Sequence, residues 1–229
     1  MKKRNALAGR TAAVSLVLAA GVAAYAQTSK ERKMPASAAQ IAKTSPPFNS
    51  LTPEGYKQVS TRDVTVDGER ATLTRFERQD GRNAGLGGEH YSRVVNEAGL
   101  LKGFANMDLA YESDNLPSRE RTREIAMGFL KEFAPDLLPR MEISWIEPHD
   151  EPVRVTRDGR PQVITVTGMK VKMRNTGDGR WFWVIVGANE RVMVFERDIV
   201  WINMPGHRQT EKWLHDTWLA ARDSKNPAH

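Results

Sequence analysis

Six consecutive apolar residues, Trp181-Phe182-Trp183-Val184-Ile185-Val186, constrain this chain more than any other feature. Successive side chains of a strand point to opposite faces, so a strand with this run must be covered on both sides. Before it, Met169, Val171 and Met173 alternate with Lys170, Lys172 and Arg174, one face buried and one wet. A turn over 175–179 separates these two segments, and a turn over 187–191 leads into a further strand over 192–202. Three strands in a row predict an antiparallel meander with the double-apolar strand at its centre.

The first half carries a second strand group. Residues 56–66 and 70–78 flank Asp67-Gly68, a strong hairpin signal. Residues 90–96 and 100–106 flank Glu97-Ala98-Gly99. A helix is expected next: Pro117-Ser118 offers an entry and an N-cap, and Ile125, Phe129 and Phe133 recur every four residues beside Ala126 and Leu130. Pro135 stops it. Met141, Ile143 and Trp145 alternate with polar residues, and 210–222 reads as a last helix with Trp213, Leu214 and Trp218 inward. The expected fold class is α+β: antiparallel sheet with a central amphipathic helix packed on it and a C-terminal helix.

The N-terminus reads as an export signal. Met1-Lys2-Lys3-Arg4 begins it, 11–22 is almost wholly small or apolar, and Ala24-Tyr25-Ala26 precedes Gln27. A basic start, a short apolar run and an A-x-A site are the parts of a cleavable signal peptide, with Ala24, Ala26 and Gln27 at the cleavage point. The run is shorter than the roughly 20 apolar residues a spanning helix needs. Residues 27–50 are expected to be a flexible tether, and 51–229 one α+β domain, divisible into sub-units of about 51–115 and 116–229. The protein is then periplasmic or secreted, with no stable membrane span after cleavage.

Charge supports no nucleic-acid function. The formal net charge of +6 invites one, but Lys2, Lys3, Arg4 and Arg10 belong to the signal. Lys30, Arg32, Lys33 and Lys43 lie in the tether against Glu31 alone, so the body from Pro46 onward is close to neutral. The absence of Cys excludes disulfides, thiol catalysis and Cys-based metal sites.

The segment YSRVVNEAGLLKGFANMD (91–108), followed by LPSRERTREIAMGFLKEFAPDL (116–137), resembles PepSY-type secreted modules. These join strand, Gly-containing turn, strand and helix; the matching helix positions are Thr122, Ile125, Ala126, Phe129 and Leu130. WFWVIVGANERVMVFE (181–196) resembles the strand-turn-strand half of the same unit. The strands from Tyr56 onward and the Trp-rich C-terminus have no counterpart. The resemblance implies an exported protein with a role in modulating peptidases, and it brings no catalytic residues.

Candidate chemistry is sparse. Glu147-Pro148-His149-Asp150-Glu151 is the best metal-like string, but Pro148 interrupts it and adjacent ligands seldom converge, so an exposed strand-end loop is expected. His207, His215 and the pair Glu89-His90 read as structural. The loop 81–88 is glycine-rich, but a strand follows it where a phosphate cradle needs a helix N-terminus, so it reads as a flexible loop. Trp181, Trp183 and Trp201 are expected mainly as core under the first helix, with a stacking platform for a sugar or peptide as the alternative. No catalytic residue, metal ligand or cofactor is assigned. The expected function is an exported, non-enzymatic binding or regulatory module for a protein, peptide or envelope component. The alternative is an exported hydrolase, either with dispersed residues or with Glu147, His149 and Asp150 around a metal.

Overall fold

The computed structural model describes residues 48–204 and 206–225. The expected export signal, with Ala24, Ala26 and Gln27, and all but the end of the expected tether lie outside the described residues. Residues Phe48–Leu51 form a 3-10 turn whose Phe48 and Leu51 pack against the body.

Strands β1 (Tyr56–Val66), β2 (Glu69–Arg78), β3 (His90–Asn96) and β4 (Leu101–Met107) precede helix α1 (Arg119–Phe133). Strands β5 (Met141–Arg157), β6 (Arg160–Asn175), β7 (Trp181–Gly187) and β8 (Val192–Ile199) follow. A two-residue pair, β9 (Trp201–Ile202) and β10 (His207–Arg208), leads to helix α2 (Asp216–Lys225). The eight long strands make one antiparallel sheet in the order β1-β2-β3-β4-β8-β7-β6-β5. The pairing of β4 with β8 joins the two strand groups. Among the described residues no helix is long and apolar enough to cross a membrane.

The expected α+β class is therefore corrected: the fold is mostly a single antiparallel sheet, and the α-helices among the described residues are short, of 15 and 10 residues. The excess of strand comes from β5 and β6, which run 17 and 16 residues as one hairpin. Asp158 and Gly159 turn that hairpin with φ of 53° and 72°, as Asp67 and Gly68 do at 49° and 80° between β1 and β2. Pro148 does not end β5, contrary to expectation, because of where its nitrogen points. The N–H groups of Arg154 and Thr156 face away from β6, bonding Gly87 O at 2.6 Å and Asn83 Oδ1 at 2.9 Å. Pro148 and Pro152 share that phase, so neither removes a ladder bond.

Each face of the sheet has its own apolar cluster. On one, Ala126, Leu130 and Phe133 of α1 cover Val171, Phe182 and Val184. Ser118 caps α1 by accepting from Arg121 N at 3.1 Å. On the other, Trp213, Leu214 and Leu219 cover Leu73, Val94, Trp183 and Ile185. The expected helix over 210–222 is corrected here. Only the part from Asp216 is helical, while Trp213 and Leu214 lie before it, 4% and 7% exposed. This segment follows the sheet because its polar groups are used there: Trp213 Nε1 donates to Thr65 O at 2.8 Å. Gly103 of β4 makes the room, since a Cβ there would sit 2.9 Å from Leu214 Cδ1 and 2.5 Å from Phe195 O.

Candidate functional site

Two ion-pair networks hold the C-terminal segment on the sheet face opposite α1. In the first, the Glu196 carboxylate on β8, 3% exposed, meets Arg208 Nη2 at 2.7 Å and His215 Nε2 at 3.1 Å. Burial alone would raise the Glu196 carboxyl, but the charges of Arg208 and His215 outweigh it and hold the group well below the usual carboxylate range. Lys170 stands over the Trp183 ring at 4.2 Å, and burial pushes its ammonium down to about 8 against the opposing pull of Glu196 and Glu151.

In the second network Arg75 on β2 grips Asp216 with both terminal nitrogens, at 2.8 and 3.0 Å, and Glu77 with Nε at 2.8 Å. Asp216 also accepts from Gly87 N at 2.6 Å. Desolvation would raise Asp216, yet the Arg75 guanidinium and the Gly87 N–H hold it below its ordinary value.

Beside this network lies a cavity of about 180 Å³ between the β5–β6 hairpin and the C-terminal segment. Met107, Pro152, Val163 and Leu214 supply its apolar wall; His90, Glu151, Arg154, His215, Asp216 and Thr217 supply its polar one. His90 is 3% exposed. Its Nδ1 is 2.8 Å from Gly88 O, and a carbonyl can only accept, so Nδ1 carries the proton. Burial pushes His90 below its ordinary value, Asp216 opposing, and keeps the ring neutral. Nε2 therefore holds a lone pair, and it has no hydrogen-bond partner. Two other buried side-chain atoms share that condition, Tyr91 Oη and Asn106 Oδ1.

Larger clefts of about 480 Å³ lie over β1–β2 and beside α1. The first is lined by groups already engaged, such as Arg62 with Asp223 at 3.0 Å and Trp213 under Arg222 at 4.5 Å. The second lies along Phe129 and Phe133 of α1.

The residues singled out in the sequence are distributed as follows. The acidic string is not a loop but part of β5. Alternation puts Asp150, which accepts from Thr167 at 2.8 Å, on the face opposite His149 and Glu151, themselves 3.2 Å apart. Of this string only Glu151 reaches the cavity. His207 is exposed on β10, apart from His215. The glycine-rich loop is far from unstructured: Glu89 N bonds Asn83 O at 3.1 Å, and a Cβ on Gly88 would sit 1.7 Å from Asn83 O. Its glycines permit this close turn, which delivers the Gly87 N–H to Asp216 and the Gly88 carbonyl to His90. The tryptophans are corrected too. Trp181 and Trp183 face away from α1, toward the C-terminal segment, and Trp201 is 45% exposed. Lys172 lies over Trp181 at 4.3 Å and near Trp145 and Trp201 at 5.5 and 5.7 Å.

Arg75, Glu196, Arg208 and Asp216 were not anticipated as members of a site. A signal did exist: Glu196-Arg197-Asp198 sits inside an otherwise apolar strand, and charges so placed are paired when buried. No protein-family model, no curated protein and no solved structure matches this chain.

Proposed function

We propose that the chain is an exported binding or regulatory module that captures a protein, peptide or envelope component in the small cavity beside His90. One observation carries this reading: a cavity of about 180 Å³ in which the apolar surface of Met107, Pro152, Val163 and Leu214 meets polar side chains brought together from β3, β5 and the C-terminal segment. The PepSY-type pattern of residues 91–137 and the signal-like residues 1–26 support the same reading. The test is binding of a random peptide library to the purified chain and to V163W. Val163 lines the cavity yet is 71% exposed, so an indole there blocks the opening without entering the core. Peptides enriched on the wild type and lost on V163W are the expected result; equal enrichment on both refutes the reading.

A second reading, an exported hydrolase, draws on the convergence of His90, Glu151, His215 and Asp216 from three distant segments. It ranks below the first because the cavity's hydroxyl, Thr217, bonds neither histidine among the described residues, and the Gly87 N–H is spent on Asp216. Turnover of ester or peptide substrates that disappears in H90Q would reverse that order.

A further inference from the structure

We infer that the sheet face opposite α1 carries a second site, an aromatic platform around Lys172 that binds an acidic sugar. The assignment goes beyond the binding reading above and uses none of its residues.

Register places the platform. Lys172 on β6 lies opposite Trp145 on β5 and Trp183 on β7, so these side chains share one face. The Lys172 ammonium stands 4.3 Å from the Trp181 ring, 5.5 Å from Trp145 and 5.7 Å from Trp201, so one cation gathers three indoles. Trp201 is 45% exposed, and Lys172, Trp145 and Trp181 are half-buried. Val163, at the mouth of the other cavity, precedes Lys172 on β6 by about 30 Å of extended chain.

Charge sets the sign of the ligand. Lys172 has no ion pair and no hydrogen bond among the described residues. Burial lowers its ammonium, and no carboxylate opposes that shift. The neighbouring cations of β6 are better matched: Glu196 and Glu151 pull on Lys170, and Arg174 lies opposite Glu142 in register.

Hydrogen-bond sense agrees with charge. The buried side-chain atoms without a partner among the described residues are His90 Nε2, Tyr91 Oη and Asn106 Oδ1. The unpaired Lys172 Nζ and the indole N–H groups of Trp145 and Trp181 therefore keep contact with solvent. Ammonium and indole groups donate and cannot accept. A ligand suited to them is rich in acceptors and negatively charged.

Shape then selects among anions. Trp145 and Trp181 stand on β5 and β7, two strand spacings or about 10 Å apart, with Lys172 on the strand between. The C–H face of a pyranose stacks on an indole, and two linked rings span that distance while a ring carboxylate meets the ammonium. An inorganic anion leaves the indoles bare. An extended acidic peptide brings a backbone N–H for every carbonyl, and these donors give it no acceptor. A nucleic-acid strand needs a cation for each of several phosphates, and Lys172 is a single unmatched one.

The test titrates the purified full chain with tetragalacturonate, cellotetraose, tetraglutamate and a thymidine tetranucleotide, followed by tryptophan fluorescence and calorimetry. Tetragalacturonate is expected to bind at least about tenfold tighter than cellotetraose, the range of a charge-assisted hydrogen bond. K172Q should erase that preference, and K172R, which keeps the charge, should retain it. Trp201 is exposed, so W201A leaves the core intact and should weaken tetragalacturonate by about threefold or more. If K172Q does not fold, W201A and the ranking of probes on the wild type decide the question. Equal binding of cellotetraose, tighter binding of tetraglutamate or the tetranucleotide, or no binding of tetragalacturonate overturns the inference. So does an acidic preference that K172Q leaves intact, or binding that W201A does not weaken.

Discussion

Replacing Arg208 with Met tests whether ion pairing holds the C-terminal segment to the sheet. Glu196 and Arg208 are 3% and 6% exposed, so each is screened from water and depends on the other. Arg208 also donates from Nε to Thr210 O at 3.0 Å and from Nη2 to Glu211 O at 2.9 Å. The substitution strips Glu196 of its main cation and leaves two carbonyls short of a donor. Breaking a buried pair from one side costs about 3–5 kcal/mol. His215 still contacts Glu196, so the lower end applies, about 3 kcal/mol, or roughly 6–12 °C in Tm for a body of this size.

The pH dependence follows from the same groups. In the wild type the folded Glu196 carboxyl lies below its ordinary value of 4.5, so its ionised form supports the fold above that pH, and the support is lost as pH falls through the depressed folded value. In R208M the desolvation that opposes this shift gains the upper hand, and protonation of Glu196 becomes the cheaper state. The gap between wild type and R208M should therefore narrow between pH 7 and pH 5. Urea unfolding followed by tryptophan fluorescence measures both quantities, and the double variant E196Q/R208M should recover at least about 1 kcal/mol of the loss. A cost for R208M below about 1 kcal/mol at pH 7, or a double variant no more stable than the single one, refutes the reasoning.

Two further predictions concern the same sheet face. His90, whose pKa burial pushes below its ordinary value of 6.5, takes its proton first in the unfolded chain, so stability should fall as pH drops below that value, by up to about 1.4 kcal/mol per pH unit until the folded ring titrates; urea midpoints at pH 7.5 and 5.5 should show this slope in the wild type and a flatter one in H90Q. Gly103→Ala drives a Cβ to 2.5 Å from Phe195 O and 2.9 Å from Leu214 Cδ1, so it should cost about 1–3 kcal/mol and weaken the near-ultraviolet dichroism of the Trp213–Trp218 pair, whose rings now stand 4.9 Å apart.

Elements governed by neighbours in the chain were legible in the residues. Asp67-Gly68 marked a hairpin because two successive positive φ angles are costly for most other pairs. The stripe of Ile125, Phe129 and Phe133 marked α1, and Ser118 marked its start. Pro148 misled, because a proline reads as a breaker until the direction of the missing N–H is known, and that direction depends on which side β6 lies. The C-terminal helix is shorter than its apolar spacing implies for a related reason: Trp213 and Leu214 fall at helical spacing, but Thr65 O and Gly103 draw them into an irregular segment. His90 read as structural because nothing near it in sequence shows that Asp216 and Leu214 close over it.

The sequence by itself determined the strands, their turns and the first helix, since periodicity and turn chemistry act over a few residues. The double-apolar run 181–186 alone required cover on both faces. Only the tertiary structure decided what supplied that cover and what it enclosed. One face went to α1 and the other to a segment more than ten residues further along the chain. Docking that segment brought Arg75, Glu196, Arg208 and Asp216 out of water, where each charge had to find its opposite. It also left His90 with one nitrogen bonded and one free. Pairings between residues more than a hundred positions apart follow from the order of the strands, and that order is a property of the folded sheet.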